Sequence, residues 1–384
     1  MLEAGDRLGK ARAAMILLHG RGATAEDILT IAAEVISPGF AYLAPQASGS
    51  AWYPNPFTAP LESNEPFLSS ALDVVEKLLA RVEETIPAAR VILLGFSQDI
   101  PRDRYGPEEL QLITNALSET NVPALRAYLA TRSTRSQLGR VRVPTFVLQG
   151  RRDFAFDADQ AIAAFRLLKG PRRLYLGDFG HAPATNPPDE FDYAALEIRA
   201  WFDRFLKGIP NGIDKRPPIE IAPDPWRHPV SFKSLPKARH LTFAFGGGRT
   251  LSAVGKVVRT TARVRHLESF GAPTVKISFA TSTGYKHLVA VLSAITPSGS
   301  EIVVSDGGAD TQTSGKSLRT ITIRLQNEVT SIPAGSRLRV TLGARSTVQN
   351  IGNLVYLIPV PDRSVARIGK VALMLPVLPK PVSA

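Results

Sequence analysis

The sequence predicts a mainly parallel β-sheet covered by helices, followed by an all-β antiparallel sandwich. Three observations carry this expectation. Between residues 13 and 206, short apolar strands alternate with segments of helical periodicity, the pattern of strand and helix units that build a parallel sheet. The stretch KGIPNGIDKRPPIEIAPDPWRHP, residues 207–229, then interrupts with proline and turn residues, and beyond it the helix signals vanish. Finally, 384 residues suffice for two separate cores. The expected division is 1–209 for the helix-covered sheet, 210–229 for a proline-rich linker and 230–384 for the sandwich.

In order along the chain, apolar runs place strands near 13–18, 40–44, 91–95, 144–149 and 172–176. Helical periodicity places helices near 25–36, 66–85, 107–118, 123–132, 157–168 and 190–206. Past the linker, HLTFAF, TVKISFA, HLVAVLSAI, EIVVSD, RTITIRL, SRLRVTLG and NLVYLIPV are short and β-rich, and Gly, Pro, Ser or Asn separate several of them. Such a run indicates a jelly roll. Gly246, Gly247 and Gly248 lack the following Lys and Ser/Thr of a phosphate loop and read as a turn or bulge.

Composition narrows the class of protein. No run of 18 apolar residues exists to span a bilayer, and the N-terminus has no basic segment followed by an apolar one. A cytoplasmic location without a membrane span is the expectation. There is no cysteine, which removes disulfides and thiolate chemistry. The net charge of +12 is uneven: residues 222–384 hold 21 Lys/Arg against 7 Asp/Glu. No RNP-like pattern, zinc finger or helix-turn-helix spacing accompanies that charge, so it reads as a solvated face and not as a nucleic-acid surface. Six histidines, at 19, 181, 228, 240, 266 and 287, show no ligand spacing. Neither metal nor cofactor is expected.

Three polar residues follow strands where a nucleophile, an orienting acid and a base belong: Ser97, Asp153 and His181. Loops at the C-terminal ends of parallel strands gather ligands, and the order Ser, Asp, His is that of the α/β-hydrolases. A serine hydroxyl becomes nucleophilic when an imidazole takes its proton, and a carboxylate must hold that imidazole in one tautomer. Asp157, Asp159 and Asp178 compete for the orienting role; Asp153 is favoured because it directly follows the strand and the QGRRD turn. Backbone N–H groups of Arg21, in LLHGRGA, and of Gln98, directly after the serine, would form the oxyanion hole. Gly20-Arg21-Gly22-Ala23-Thr24-Ala25 also fits a dinucleotide fingerprint, but the next strand ends in AYLAPQAS with no acid for a ribose.

Residues 12–98, through ARAAMILLHGRGATAEDI, SAWYPNPFTAPLESNEPFLSSAL and VILLGFSQ, resemble the phospholipase/carboxylesterase family, relatives of the acyl-protein thioesterases. That resemblance implies Ser97 as nucleophile, Arg21 and Gln98 as oxyanion donors, and Trp52 and Tyr53 as lining of an acyl pocket. Residues 123–384, through RVRVPTFVLQGRRDFAFDADQA, LYLGDFGHAP and the β domain, resemble instead the CocE/NonD hydrolases, related to X-Pro dipeptidyl peptidases. This second resemblance implies Asp153 as triad acid, His181 as base and a C-terminal jelly roll.

The two likenesses join at RVILLGFSQDIPRDRYG. Asp99 stands where the elbow's second glycine belongs, and one helix and strand before Val143 are missing from the pattern. The expected function is hydrolysis of short-chain acyl esters through an acyl-enzyme on Ser97, with a small-molecule ester as partner. Cleavage of an X-Pro peptide or amino-acyl ester is one alternative, with Glu62 and Glu65 as candidates for holding a substrate amine. A catalytically impaired, hydrolase-like binding protein is the other. The gap in the sheet leaves room for a homo-oligomer.

Overall fold

The computed structural model of the chain describes residues 1–33, 37–55, 61–95, 111–112, 114–115, 120–153, 156–181, 184, 186–281, 283–311, 316–346 and 360–383. They form two compact units. One comprises Met1–Ala116, Thr120–Arg126 and Phe191–Arg216; the other comprises Leu117–Glu119, Ala127–Glu190 and Pro217–Ala384.

In the first unit, β1 (Leu2–Gly5), β2 (Ala13–Leu18), β3 (Phe40–Ala44) and β4 (Val91–Gly95) form a sheet in the order β1-β3-β2-β4. β2 runs parallel to both β3 and β4, whereas β1 is antiparallel to β3. Alternate residues of β2 serve opposite faces. Ala13, Met15 and Leu17 join Ala25 and Ile28 of α1 (Ala25–Ala33) in one core. Ala14 and Ile16 join Leu78 and Val82 of α2 (Phe67–Glu83) in another. A strand buried on both sides must be apolar throughout, which is why β2 and β3 are so legible in sequence. α1 starts at a reciprocal cap, Thr24 Oγ1 accepting from the Asp27 N–H and Asp27 Oδ2 from the Thr24 N–H, at 3.2 and 2.8 Å.

The second unit holds β5 (Thr145–Gly150), β6 (Arg172–Gly177), β7 (Ile219–Ile221) and β8 (Val230–Phe232) in that order, parallel except for the β7 and β8 pair. Two short helices, α3 (Val122–Arg132) and α4 (Arg135–Leu138), precede it in the chain. Ala158, Ala161, Ile162 and Phe165 of α5 (Ala158–Leu167) lie at helical spacing against Leu174 and Leu176 of β6. The stretch expected as a linker contributes β7, because Ile219 and Ile221 complete that core. The last helix, α6 (Pro188–Phe205), starts in this unit and continues in the first.

The rest of the second unit is an antiparallel sandwich. One sheet runs β10-β19-β13-β16 with β9 also on β19, and the facing sheet runs β11-β18-β14-β15. The strands are β9 (Arg239–Phe245), β10 (Arg249–Ser252), β11 (Val257–Arg263), β13 (Thr274–Thr281), β14 (His287–Ile295), β15 (Glu301–Asp310), β16 (Arg319–Arg324), β18 (Arg337–Gly343) and β19 (Val365–Val377). A small ribbon pairs β12 (Leu267–Glu268) with β17 (Ser331–Ile332). Ile277, Leu292, Val340 and Leu373 belong to the core between the sheets. The fold class is therefore as expected, helix-covered mixed sheets followed by an antiparallel β sandwich.

The sequence reading did not name β1, β8, β10, β11, β12, β17 or the longest described strand, β19, and its NLVYLIPV segment lies almost wholly outside the described residues. It also expected one sheet where two are found. No described residue between Gly95 and Thr145 is in a strand, and among the described strands β4 and β5 each stand last in their own sheet. Leu93 of β4 is 53% exposed, whereas every residue of β3 is buried. The helix expected over 107–118 falls largely outside the described residues.

Candidate active site

Loops leaving β5 and β6 on the same side carry Asp153 and His181. Gly150 and Gly180 let those loops touch, and Gly177 lets the second loop fold back on itself. A Cβ at Gly150 would run into the carbonyl of Phe179, one at Gly177 into the Phe179 ring, and one at Gly180 into the carbonyl of Arg152. Backbone hydrogen bonds then strap the loops together: the Arg151 N–H donates to Gly177 O at 2.7 Å and the Arg152 N–H to Phe179 O at 3.2 Å. Asn186 clasps the second loop, accepting from the Gly180 N–H at 3.0 Å and donating to Gly180 O at 3.1 Å.

On this platform His181 Nδ1 and Asp153 Oδ2 are 2.7 Å apart. A carboxylate accepts, so the proton sits on Nδ1 and Nε2 carries the lone pair. The other oxygen, Oδ1, accepts from the Phe156 N–H at 2.9 Å, fixing the carboxylate's rotation. Phe156 also places its ring 5.6 Å from the imidazole. Asp153 is nearly buried, whereas the His181 side chain is 52% exposed and open to a substrate.

The competing acids are engaged elsewhere. Asp157 and Asp159 pair with Arg324, and Asp159 also accepts from Asn327 Nδ2 at 2.7 Å. Asp178 faces the Arg152 guanidinium at 3.2 Å. Burial pushes the Asp178 carboxyl up to about 7 against the pull of Arg152, with Asp224 and Glu190 adding to the rise. Burial likewise raises Glu190, although Tyr175 Oη at 2.6 Å and the Asp178 N–H at 2.7 Å donate to it. A further carboxyl that the sequence did not single out is Glu328, pushed up to about 8 by burial and then by Asp306, Asp153 and Asp157.

In the first unit, His19 is a buried structural histidine. Its Nδ1 donates to Gly20 O at 2.8 Å and its Nε2 accepts from the Ala47 N–H at 3.0 Å. Trp52 Nε1 donates to His19 O at 2.9 Å, and the Arg21 guanidinium donates to Tyr53 O. Arg21, Trp52 and Tyr53 thus form one cluster at the end of β2. Glu65 accepts from the Ser69 N–H at 3.1 Å, spending a carboxylate oxygen on the first turn of α2; Glu62 is exposed. Ser97, Gln98 and Asp99 lie outside the described residues.

Helix-covered sheets, a β sandwich and a histidine–carboxylate couple at the ends of parallel strands define an α/β-hydrolase-type fold with a C-terminal β domain. Solved structures agree. An aminopeptidase from the marine sediment archaeon Thaumarchaeota archaeon matches with a TM-score of 0.58 at 11% identity, over 96% of this chain and 92% of that one. An α-amino acid ester hydrolase matches with a TM-score of 0.57 at 13% identity, over the same 96% and 92%. A CocE/NonD family hydrolase from Staphylococcus aureus matches with a TM-score of 0.52 at 13% identity, over 63% of this chain; the chain spans 55% of that protein. No protein-family model matches, and no curated protein matches in sequence. No helix among the described residues is long and apolar enough to cross a membrane.

Proposed function

We propose that the chain is a serine hydrolase of carboxylic esters, acting through Ser97, His181 and Asp153. The observation that carries this reading is the 2.7 Å Asp153 to His181 contact, with the His181 side chain half exposed. His181 Nε2 takes the Ser97 proton as the hydroxyl attacks the ester carbonyl. The resulting oxyanion accepts from the backbone N–H groups of Arg21 and Gln98. Imidazolium, steadied by Asp153, then protonates the departing alkoxide, and water activated by the same histidine hydrolyses the acyl-enzyme. Trp52 and Tyr53 flank the acyl group.

A second reading narrows the substrate to an ester or peptide bearing a free amine. It is favoured by Glu328, whose strongest charged neighbours are carboxylates, one of them Asp153. A cationic amine would relieve that crowding. The aminopeptidase and amino acid ester hydrolase folds point the same way.

One experiment covers both: p-nitrophenyl butyrate and an amino-acyl ester, free and N-acetylated, are offered to the chain and to Ser97→Ala, with a fluorophosphonate label on each. Turnover and labelling in the chain alone are expected, with kcat falling on the order of 10³-fold or more in the variant. Preference for the free amine would select the second reading. Equal, negligible signals from both folded proteins would overturn the hydrolase reading and favour a binding protein.

A further inference from the structure

Two residues before Asp153 lies Arg151, and its surroundings are unusual. The Arg151 and Glu268 side chains are fully buried and 2.6 Å apart, so a loop residue of the α/β layer is paired with a residue of the β12 ribbon in the C-terminal β region, inside one unit. Removing two charges from water costs more than their attraction returns unless the remaining polar atoms are also satisfied. Here they are. Arg151 Nε donates to Val329 O at 2.6 Å, and Nη1 donates to Ala222 O. Glu268 Oε2 accepts from the N–H groups of Val382 and Ser383 at 2.5 and 3.0 Å, and Oε1 accepts from Ser383 Oγ at 3.0 Å. Ser383 Oγ in turn accepts from the Asp224 N–H at 2.8 Å.

The main chain of Arg151 is held as firmly. Its N–H donates to Gly177 O, where the His181 loop begins, and its carbonyl accepts from the Val329 N–H at 3.0 Å. A hydrophobic substitute could fill the same volume at similar or better stability. It could not fix the direction of the β5 exit, which sets where the Asp153 carboxylate meets the imidazole.

We propose that Glu268, acting through Arg151, is a positioning residue for the Asp153 and His181 couple, with Ser383 aligning its carboxylate. The β sandwich is on this account part of the catalytic framework and not an appended binding module. The inference rests on the hydrolase reading for its kinetic consequence, but its structural consequence is independent of turnover.

The test uses the full chain and four variants: Glu268→Gln, Ser383→Ala, Asp153→Asn, and Val340→Ala as a control that loosens the sandwich core. A two-bond proton–nitrogen correlation spectrum at pH 9 reports which nitrogen of His181 carries the proton. Nδ1 is expected in the chain and in Val340→Ala, and Asp153→Asn is expected to move the proton toward Nε2. Glu268→Gln should move it the same way and lower kcat about 10²-fold with KM little changed, the cost of a carboxylate misplaced by about 1 Å. Ser383→Ala removes one hydroxyl and should do the same to a smaller degree, giving the result if Glu268→Gln does not fold. A His181 spectrum and kcat unchanged in folded Glu268→Gln, or in Ser383→Ala where the former does not fold, would overturn the inference. So would a control that shifts the proton equally, or a chain whose His181 is not protonated on Nδ1. A chain with the expected spectra but no ester turnover would overturn the hydrolase reading alone.

Discussion

At the residue scale, a loop aspartate and histidine need two things to become a couple: a carboxylate that cannot rotate and acids that cannot compete. Asp153 meets the first by splitting its oxygens between the Phe156 N–H and His181 Nδ1. Arg152 and Arg324 meet the second by engaging Asp178, Asp157 and Asp159. Asp178 has a further consequence for stability. Its carboxyl titrates near 3.8 when solvated but is pushed up to about 7 by burial. The folded chain therefore holds a proton that the unfolded chain releases between those values, and stability falls as pH rises from about 4 to about 7, then levels. Asp178→Asn cannot titrate, so the melting-temperature difference between chain and variant should move against the chain across that window. A difference constant from pH 4.5 to 7.5 would show that Asp178 ionises normally. Asp153 was readable because its position after an apolar strand is a sequence property. Glu328 and Glu268 were not, since 175 and 115 residues separate them from Asp153 and no local pattern marks them.

At the scale of elements, the site depends on two strand exits approaching more closely than side chains allow. Gly150, Gly177 and Gly180 have ordinary negative φ values or near-extended backbone, so conformational freedom is not what requires them. Space is: Gly150 and Gly180 would each drive a Cβ into the opposite loop, and Gly177 would drive one into the Phe179 ring of its own loop. Gly180→Ala should separate the Arg152 carbonyl from the His181 loop, destabilise the chain by about 2 kcal/mol or more, and lower ester turnover more than a core substitution of equal thermal cost. Melting curves beside kcat for Gly180→Ala and Val340→Ala make that comparison. Apolar periodicity located β2 to β6 within a residue or so because each is a short run between polar turns. β7 was hidden in the proline-rich stretch, since three residues are too few to show a period. β19 is long but broken by Gly369 and Lys370, which mask its alternation.

At the scale of the whole molecule, the sheet that carries Asp153 and His181 does not finish its own core. Phe270, Val329 and Leu378 of the sandwich region pack with Leu174, Leu176, Ile219 and Ile221. A fragment ending at residue 229 would leave that apolar surface open and remove the partner of Arg151. It should lose its cooperative thermal transition and bind a hydrophobic dye, whereas an independently folding sheet would melt sharply without dye binding. Residues 222–384 carry the positive charge of the chain, 21 basic residues against 7 acidic. Of those seven acids, Glu268, Asp306 and Glu328 are drawn inward to the ion pair and the carboxyl cluster beside the couple.

The sequence by itself determined the order of the apolar strands and helices from β2 to β6, the change to a β sandwich, and Asp153 and His181 as candidates for acid and base. These depend on local hydrophobic period and on position after a strand, both written along the chain. Only the tertiary structure decided that β4 and β5 end separate sheets among the described strands, that the supposed linker adds a strand, and that Glu268 and Ser383 bind Arg151, two residues before Asp153. Such contacts join residues far apart in the chain, where side-chain chemistry is shared by many positions and only packing selects one.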